Sequence, residues 1–199
     1  PHVGQENHAG GGPCRFGIHG EIIERPAQDR RARRLFWSHE DWQIEQAYRP
    51  NTLSTAVQMH HDQLQLLVRC SDVVDFHRAV MVRRIAITNL ARQKRELNIY
   101  HHNDFHIFGT KVGDTVYLDP KLGMLVHYRG SRYLMAGFWK DDRIALDAYA
   151  TGVSGFQGAE GTWRDAEDAA LGGNPIAQGA VDSTIGIDMQ LEPSGKAGA

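Results

Sequence analysis

Cysteine is scarce in this chain of 199 residues: only Cys14 and Cys70 occur, far apart, in no zinc-ligand spacing and in no disulfide framework. A reducing compartment is the default that follows, and a cytoplasmic location is expected. No apolar run approaches the roughly 18–20 residues that a membrane-spanning helix needs, so no membrane partner is expected. Charge of one sign is not in excess either. With 24 acidic and 22 basic residues the formal net charge is -2, which gives no electrostatic case for a nucleic-acid partner. The basic run 30–34 is a local exception and reads as a solvated face. Motifs that activate a nucleophile are missing. There is no Gly-x-Ser-x-Gly elbow, no Cys/His signature and no phosphate-cradling glycine loop followed by Lys-Ser or Lys-Thr. Ser154, between Gly152 and Gly155, reads as part of a turn. The first residue is Pro1 and no charged-then-apolar leader follows it, so an upstream segment is expected to have been removed.

What is present points to short strands. A 41% share of hydrophobic residues, with four Trp, is enough for an ordinary globular core. The 21 Gly and 7 Pro punctuate the chain too often for long helices. Period-two alternation is clearest in 63–70, where Leu64, Leu66, Val68 and Cys70 share a face, and in 184–191, where Ile185, Ile187, Met189 and Leu191 do. Leu97 and Ile99 repeat the pattern, as do Trp42, Ile44 and Gln46. Segment 115–118 ends at Asp119-Pro120, and 122–128 with 132–138 form a hairpin around Gly130-Ser131. Many brief strands, each with one face to bury, predict an all-β fold: an antiparallel sandwich spanning 1–193, with 194–199 beginning a linker or tail. One short helix is expected over 164–171, its acids near the start and its end at Gly172-Gly173.

Several residue groups invite a chemical reading. His60-His61, and His101-His102 with Asp104 and His106, are the residue types that ligate zinc, iron or nickel. Neighbours on a strand point to opposite faces, however, so His101 and His102 cannot aim at one site without a bulge. His102, Asp104 and His106 share a face only if the strand runs straight through them. Glu6 and His8 are a candidate acid/base pair that lacks a partner nucleophile or carboxylate. Asp165 and Asp168 would share a helix face, yet nothing fixes a second acid across a sugar-sized gap. Trp37, Trp42, Trp139 and Trp163 suit either sugar stacking or a core. No catalytic residue, no metal ligand and no cofactor is assigned from these patterns.

The ordered blocks of the chain resemble one family. Pro1-His2-Val3-Gly4-Gln5-Glu6-Asn7-His8, Cys14-Arg15-Phe16-Gly17, Asp41-Trp42-Gln43-Ile44-Glu45 and Asn103-Asp104-Phe105-His106-Ile107 come in sequence. Gly161-Thr162-Trp163-Arg164-Asp165-Ala166-Glu167-Asp168 and Asn174-Pro175-Ile176-Ala177-Gln178-Gly179-Ala180-Val181-Asp182-Ser183 follow. Together they are similar to the N-terminal region of prokaryotic glucoamylase-like and trehalase-like proteins of glycoside hydrolase family fifteen. The resemblance implies an antiparallel super-sandwich that precedes an (α/α)6 barrel. That barrel would carry the glutamic acid and base, about 6.5–9.5 Å apart, of an inverting hydrolysis. No family catalytic residue maps onto this chain. The partner implied is the C-terminal (α/α)6 catalytic domain, with an α-glucan or trehalose as the parent's substrate. Trp163, Asp165, Asn174, Gln178 and Asp182 are the residues expected to face that barrel, with internal packing of the sandwich as the alternative. The missing start of the family pattern implies self-association through an exposed sheet edge. A carbohydrate-binding module and a metal-dependent β-barrel enzyme using His102 and His106 are the other readings.

Overall fold

A computed structural model describes residues 14–21, 33–37, 41–155 and 158–198. The segment 1–8, with Glu6 and His8, lies outside the described residues, as does most of the basic run. Among the described residues sixteen strands appear in chain order: β1 (Cys14–Glu21), β2 (Arg33–Trp37), β3 (Gln43–Tyr48), β4 (Thr55–His61), β5 (Leu66–Val74), β6 (Met81–Asn89), β7 (Arg95–Asn103) and β8 (Asp114–Asp119) make the first half. Then come β9 (Met124–Arg129), β10 (Arg132–Ala136), β11 (Phe138–Lys140), β12 (Arg143–Ala145), β13 (Ala148–Val153), β14 (Ile176–Gly179), β15 (Val181–Leu191) and β16 (Lys196–Gly198). Every pairing is antiparallel. One five-stranded sheet has the order β13-β15-β7-β1-β2 and another β16-β6-β5-β4-β3; a four-stranded sheet runs β10-β9-β8-β14, and β11-β12 is a small hairpin.

The expected all-β sandwich is therefore the fold, and alternation explains how it closes. Leu66, Val68, Ile85 and Ile87 from one five-stranded sheet meet Leu97, Ile99, Ile185, Ile187 and Leu191 from the other. Val116 and Leu125 bring the inner face of the four-stranded sheet into the same core. Burying each such side chain contributes on the order of 2 kcal/mol, which is the main driving term of the fold. Asn89 ties the edge of this core together. Its Nδ2 donates to the carbonyls of Gln93 (2.8 Å) and Glu192 (3.2 Å), and its Oδ1 accepts from the Ala91 N–H (3.0 Å).

Two sequence expectations meet different geometry. The helix over 164–171 is not formed: Asp165–Asp168 makes a 3-10 turn, one of two such turns and no α-helix among the described residues. Ala169 stops it in the left-handed region (φ 66°), with its N–H on the Ala166 carbonyl. The acids that suggested a helix start act locally instead. Asp165 Oδ2 accepts from the Gly172 N–H (2.5 Å) and Asp168 Oδ1 from the Ala170 N–H (3.0 Å). Such local side-chain bonds compete with helical ones. At the other end, residues 196–198, placed by composition in a linker or tail, pair with β6 from Thr88 to Ala86.

Among the described residues no helix is long and apolar enough to cross a membrane.

Candidate functional site

The densest polar grouping lies at the start of β15, where both faces of one strand are buried. Val181, Ser183, Ile185 and Ile187 point into the core. Asp182, Thr184 and Gly186 point to the outer face of the sheet, which the connection between β13 and β14 covers. Gly186 sits opposite Tyr100 in the register, and a Cβ there would meet the Tyr100 ring at 2.9 Å. The absent side chain lets Tyr100 lie flat across the strand and pack with Ala166, Trp163 and Leu171 of the covering segment.

Asp182 holds that segment down. Its Oδ2 accepts from the Thr162 N–H (2.9 Å) and lies 2.9 Å from His102 Nε2, both groups buried. The hydroxyls of Thr162 and Thr184 hydrogen-bond at 3.0 Å. Gly161 turns the chain into this contact at φ 111°, and a Cβ on it would collide with the Asp182 carboxylate. Further along, Gly173 N–H reaches the Tyr149 carbonyl (2.9 Å), and Asn174 Nδ2 reaches the carbonyls of Thr151 (3.0 Å) and Ile176 (2.9 Å).

On the inner face, Ser183 Oγ lies 2.8 Å from His127 Nε2, the separation of a serine nucleophile and its base. The pair is not arranged for that chemistry. Both residues are wholly buried, and no group among the described residues orients His127 through Nδ1. Burial pushes the His127 imidazole down to about 4, helped by His102 and opposed by the Asp182 charge. Phe105 meets its ring edge-on at 5.0 Å. His127 is thus held as a neutral core residue that is bonded to Ser183.

The remaining histidines diverge, as alternation requires. His102 faces outward to Asp182. His101 points the other way, and its imidazole is pushed down to about 4 by burial, then by the Arg83 and His102 charges. Asp72 and Arg83 form a two-bond fork on that side, 2.8 Å in each bond. His106 leans on Asp104 at 3.3 Å beyond the end of β7, because the strand does not run straight past Asn103. His61 packs edge-on to Trp42, and His60 sits 3.4 Å from Asp62. Among the described residues no three His, Cys, Asp or Glu side chains converge as metal ligands would.

The five residues expected on a barrel-facing surface separate into different environments. Asp182 is fully buried, so its carboxylate serves the interior of this chain. Asp165 is half-buried on the Gly172 N–H, and Asn174 is exposed but bonded to β13. Trp163 is half-buried, donates from Nε1 to the Glu160 carbonyl (2.8 Å) and carries the Arg164 guanidinium over its ring at 4.4 Å. Gln178 is exposed on β14, on the outer face of the four-stranded sheet beside Thr115.

Sequence patterns do not single out that outer face, because it exists only once four strands are in register. Two cross-strand rows build it. Gln178, Thr115, Tyr128 and Tyr133 make one; Ile176, Tyr117, Val126 and Met135 make the other. Tyr128 and Tyr133 stack with centroids 5.7 Å apart and planes 16° apart, and Tyr117 meets Tyr128 edge-on at 6.0 Å. Val126 is buried at the centre, while Tyr133 (59%), Met135 (58%) and Ile176 (53%) are exposed at the rim.

This arrangement defines an antiparallel β-sandwich with a buried polar pair and one aromatic face whose rim residues Tyr133, Met135 and Ile176 are exposed. The chain superposes on a crystal structure of a bacterial glucoamylase complexed with acarbose, with a TM-score of 0.64 and 9% sequence identity. The match takes in 94% of this chain and 26% of the glucoamylase chain, so the chain spans about a quarter of that enzyme's length. At this identity the likeness establishes the fold. No family model matches the chain, and no curated protein matches it by sequence.

Proposed function

We propose that the chain is a non-catalytic β-sandwich domain of a glucoamylase-like glycoside hydrolase, supporting a separate (α/α)6 barrel that hydrolyses α-glucosidic bonds with inversion. The observation that carries this reading is the superposition of nearly the whole chain onto about a quarter of a glucoamylase. It agrees with the family resemblance of the ordered sequence blocks. The buried polar groups support it too: Asp182, His102, Ser183 and His127 bond to one another and to the backbone of this chain. In this reading the parent acts on an α-glucan or on trehalose, and the compartment is the cytoplasm. Self-association would use the free sheet edge at β3, and in the isolated chain also that at β10.

The test is direct. The purified chain is incubated with maltose, maltooligosaccharides and trehalose, and glucose release is followed. No turnover is expected from the chain alone, and turnover is expected from a longer product of the same reading frame. Hydrolysis by the isolated chain would sink the reading. A second reading, a carbohydrate-binding module, is favoured by one observation: Trp139 is 61% exposed. Its indole fluorescence would respond to maltooligosaccharide at millimolar concentration if the chain bound glucan through that ring.

A further inference from the structure

The geometry points to the outer face of the four-stranded sheet as the surface on which this chain docks against the larger domain of its parent enzyme. The inference rests on the reading just given and adds where the contact is made.

Three outer sheet faces can be compared. That of β13-β15-β7 is covered by the chain's own connection, through Thr162, Trp163 and Ala166. That of β6-β5-β4 interleaves Gln58, Arg69, Arg84 and Thr88 among its apolar residues, with Arg69 Nε bonded to Gln58 at 3.1 Å. It is an ordinary solvated face. The face of β10-β9-β8-β14 differs from both. Its two central rows contain no charged residue. The next position along, Asp119, turns its carboxylate to the N–H groups of Lys121 (2.9 Å) and Leu122 (3.1 Å). Edge strand β10 presents Tyr133, Leu134 and Met135 in succession, with no proline and with Arg132 at its start as its single charge. Natural proteins leave such an edge bare only where something covers it.

Ring geometry selects the occupant. A sugar stacks on an open aromatic face, but Tyr128 and Tyr133 stack on each other and Tyr117 stands edge-on to Tyr128. No flat platform remains across the three. Tyrosine, methionine and isoleucine around a buried centre, with few charges, instead match the make-up of protein interfaces. A partner of the right size is implied by the match, which leaves about three quarters of the glucoamylase chain outside the superposed part. Gln178 joins the face to the segment ending at Ser183, where a barrel contact is expected from the sequence.

The experiment uses the full-length parent chain and the 199-residue chain side by side. Tyr133→Glu with Met135→Arg is introduced into both, and Ile176→Arg at the opposite rim is the second variant. In the parent, either change is expected to speed protease release of the sandwich from the barrel by roughly tenfold or more. In the short chain, neither should move Tm by more than about 2 °C, since exposed substitutions rarely disturb folding. An unchanged release rate in a two-domain parent overturns this inference and leaves the proposed function standing. A reading frame that holds no barrel removes the proposed function itself. Maltooligosaccharide binding by the short chain that disappears in Tyr133→Glu would overturn the inference in favour of a glucan site.

Discussion

The covered and uncovered outer faces of this sandwich solve the same problem in opposite ways. Over β13-β15-β7 the chain supplies its own lid, fixed by a buried carboxylate, and the face holds a tyrosine lying across a glycine. Over β10-β9-β8-β14 the described residues supply none, and the face holds tyrosines, methionine and isoleucine in two rows. The difference teaches where to look for function. A carboxylate that is buried on one face, with one oxygen bonded to the chain's own Thr162 and His102, belongs to folding. Apolar side chains left bare on the other are what the proposed docking surface would bury.

The comparison breaks most sharply at Asp182. Asp182→Ala leaves the Thr162 N–H and His102 buried without their acceptor, and such losses cost about 3–5 kcal/mol. Asp182→Asn keeps an acceptor for Thr162 and should cost about half as much. Urea unfolding measures both. A cost below about 1 kcal/mol for the alanine variant would mean the lid does not depend on this carboxylate.

Acid should act next on the core between the sheets, where His127 of β9 meets Ser183 of β15. His127 titrates near 6.5 when unfolded and is pushed to about 4 by burial in the folded chain. Its folded pKa is lowered, so the unfolded state binds the extra proton. Stability is then fully present above about pH 6.5 and falls as pH drops toward 4, by on the order of 3 kcal/mol over that window. His101 is pushed the same way and adds the same sign. Tm measured from pH 7.5 to 4 should show this slope, and His127→Gln should flatten it. Equal slopes in both proteins would remove His127 as the cause.

Gly161 tests the same lid through the backbone. At φ 111°, with the Asp182 carboxylate where a Cβ would lie, Gly161→Ala is expected to cost about 2 kcal/mol. Thermal unfolding reads it, and a neutral result would show that the turn has another way to close.

The same contrast explains what the sequence does and does not disclose. Ile185, Ile187, Met189 and Leu191 alternate with exposed Asp188 and Gln190, so one face of β15 is legible from period alone. Leu64, Leu66, Val68 and Cys70 are legible likewise. Asp182 and Thr184 are not, because polar residues at alternate positions read as a solvated face until the covering connection is placed. Ile44 misleads in the other direction. It alternates correctly with Trp42 and Gln46, but β3 is an edge strand and all six of its residues are exposed. The helix expected over 164–171 fails because Ala169 takes a left-handed conformation that composition does not reveal. The tyrosine face is invisible for a further reason: Tyr117, Tyr128 and Tyr133 come from three strands, and only the register makes them neighbours.

The smallest effect is expected on the uncovered face, and its smallness is the point. Met135→Lys replaces an exposed side chain on a free edge with a charge that edges tolerate well. In the 199-residue chain it should change stability by less than about 0.5 kcal/mol, and it should lower any tendency to self-associate through β10. Sedimentation at rising concentration, beside urea unfolding, measures both. If Met135→Lys instead costs as much as Gly161→Ala, Met135 supports the fold of the isolated chain. The two faces would then differ in composition but not in purpose.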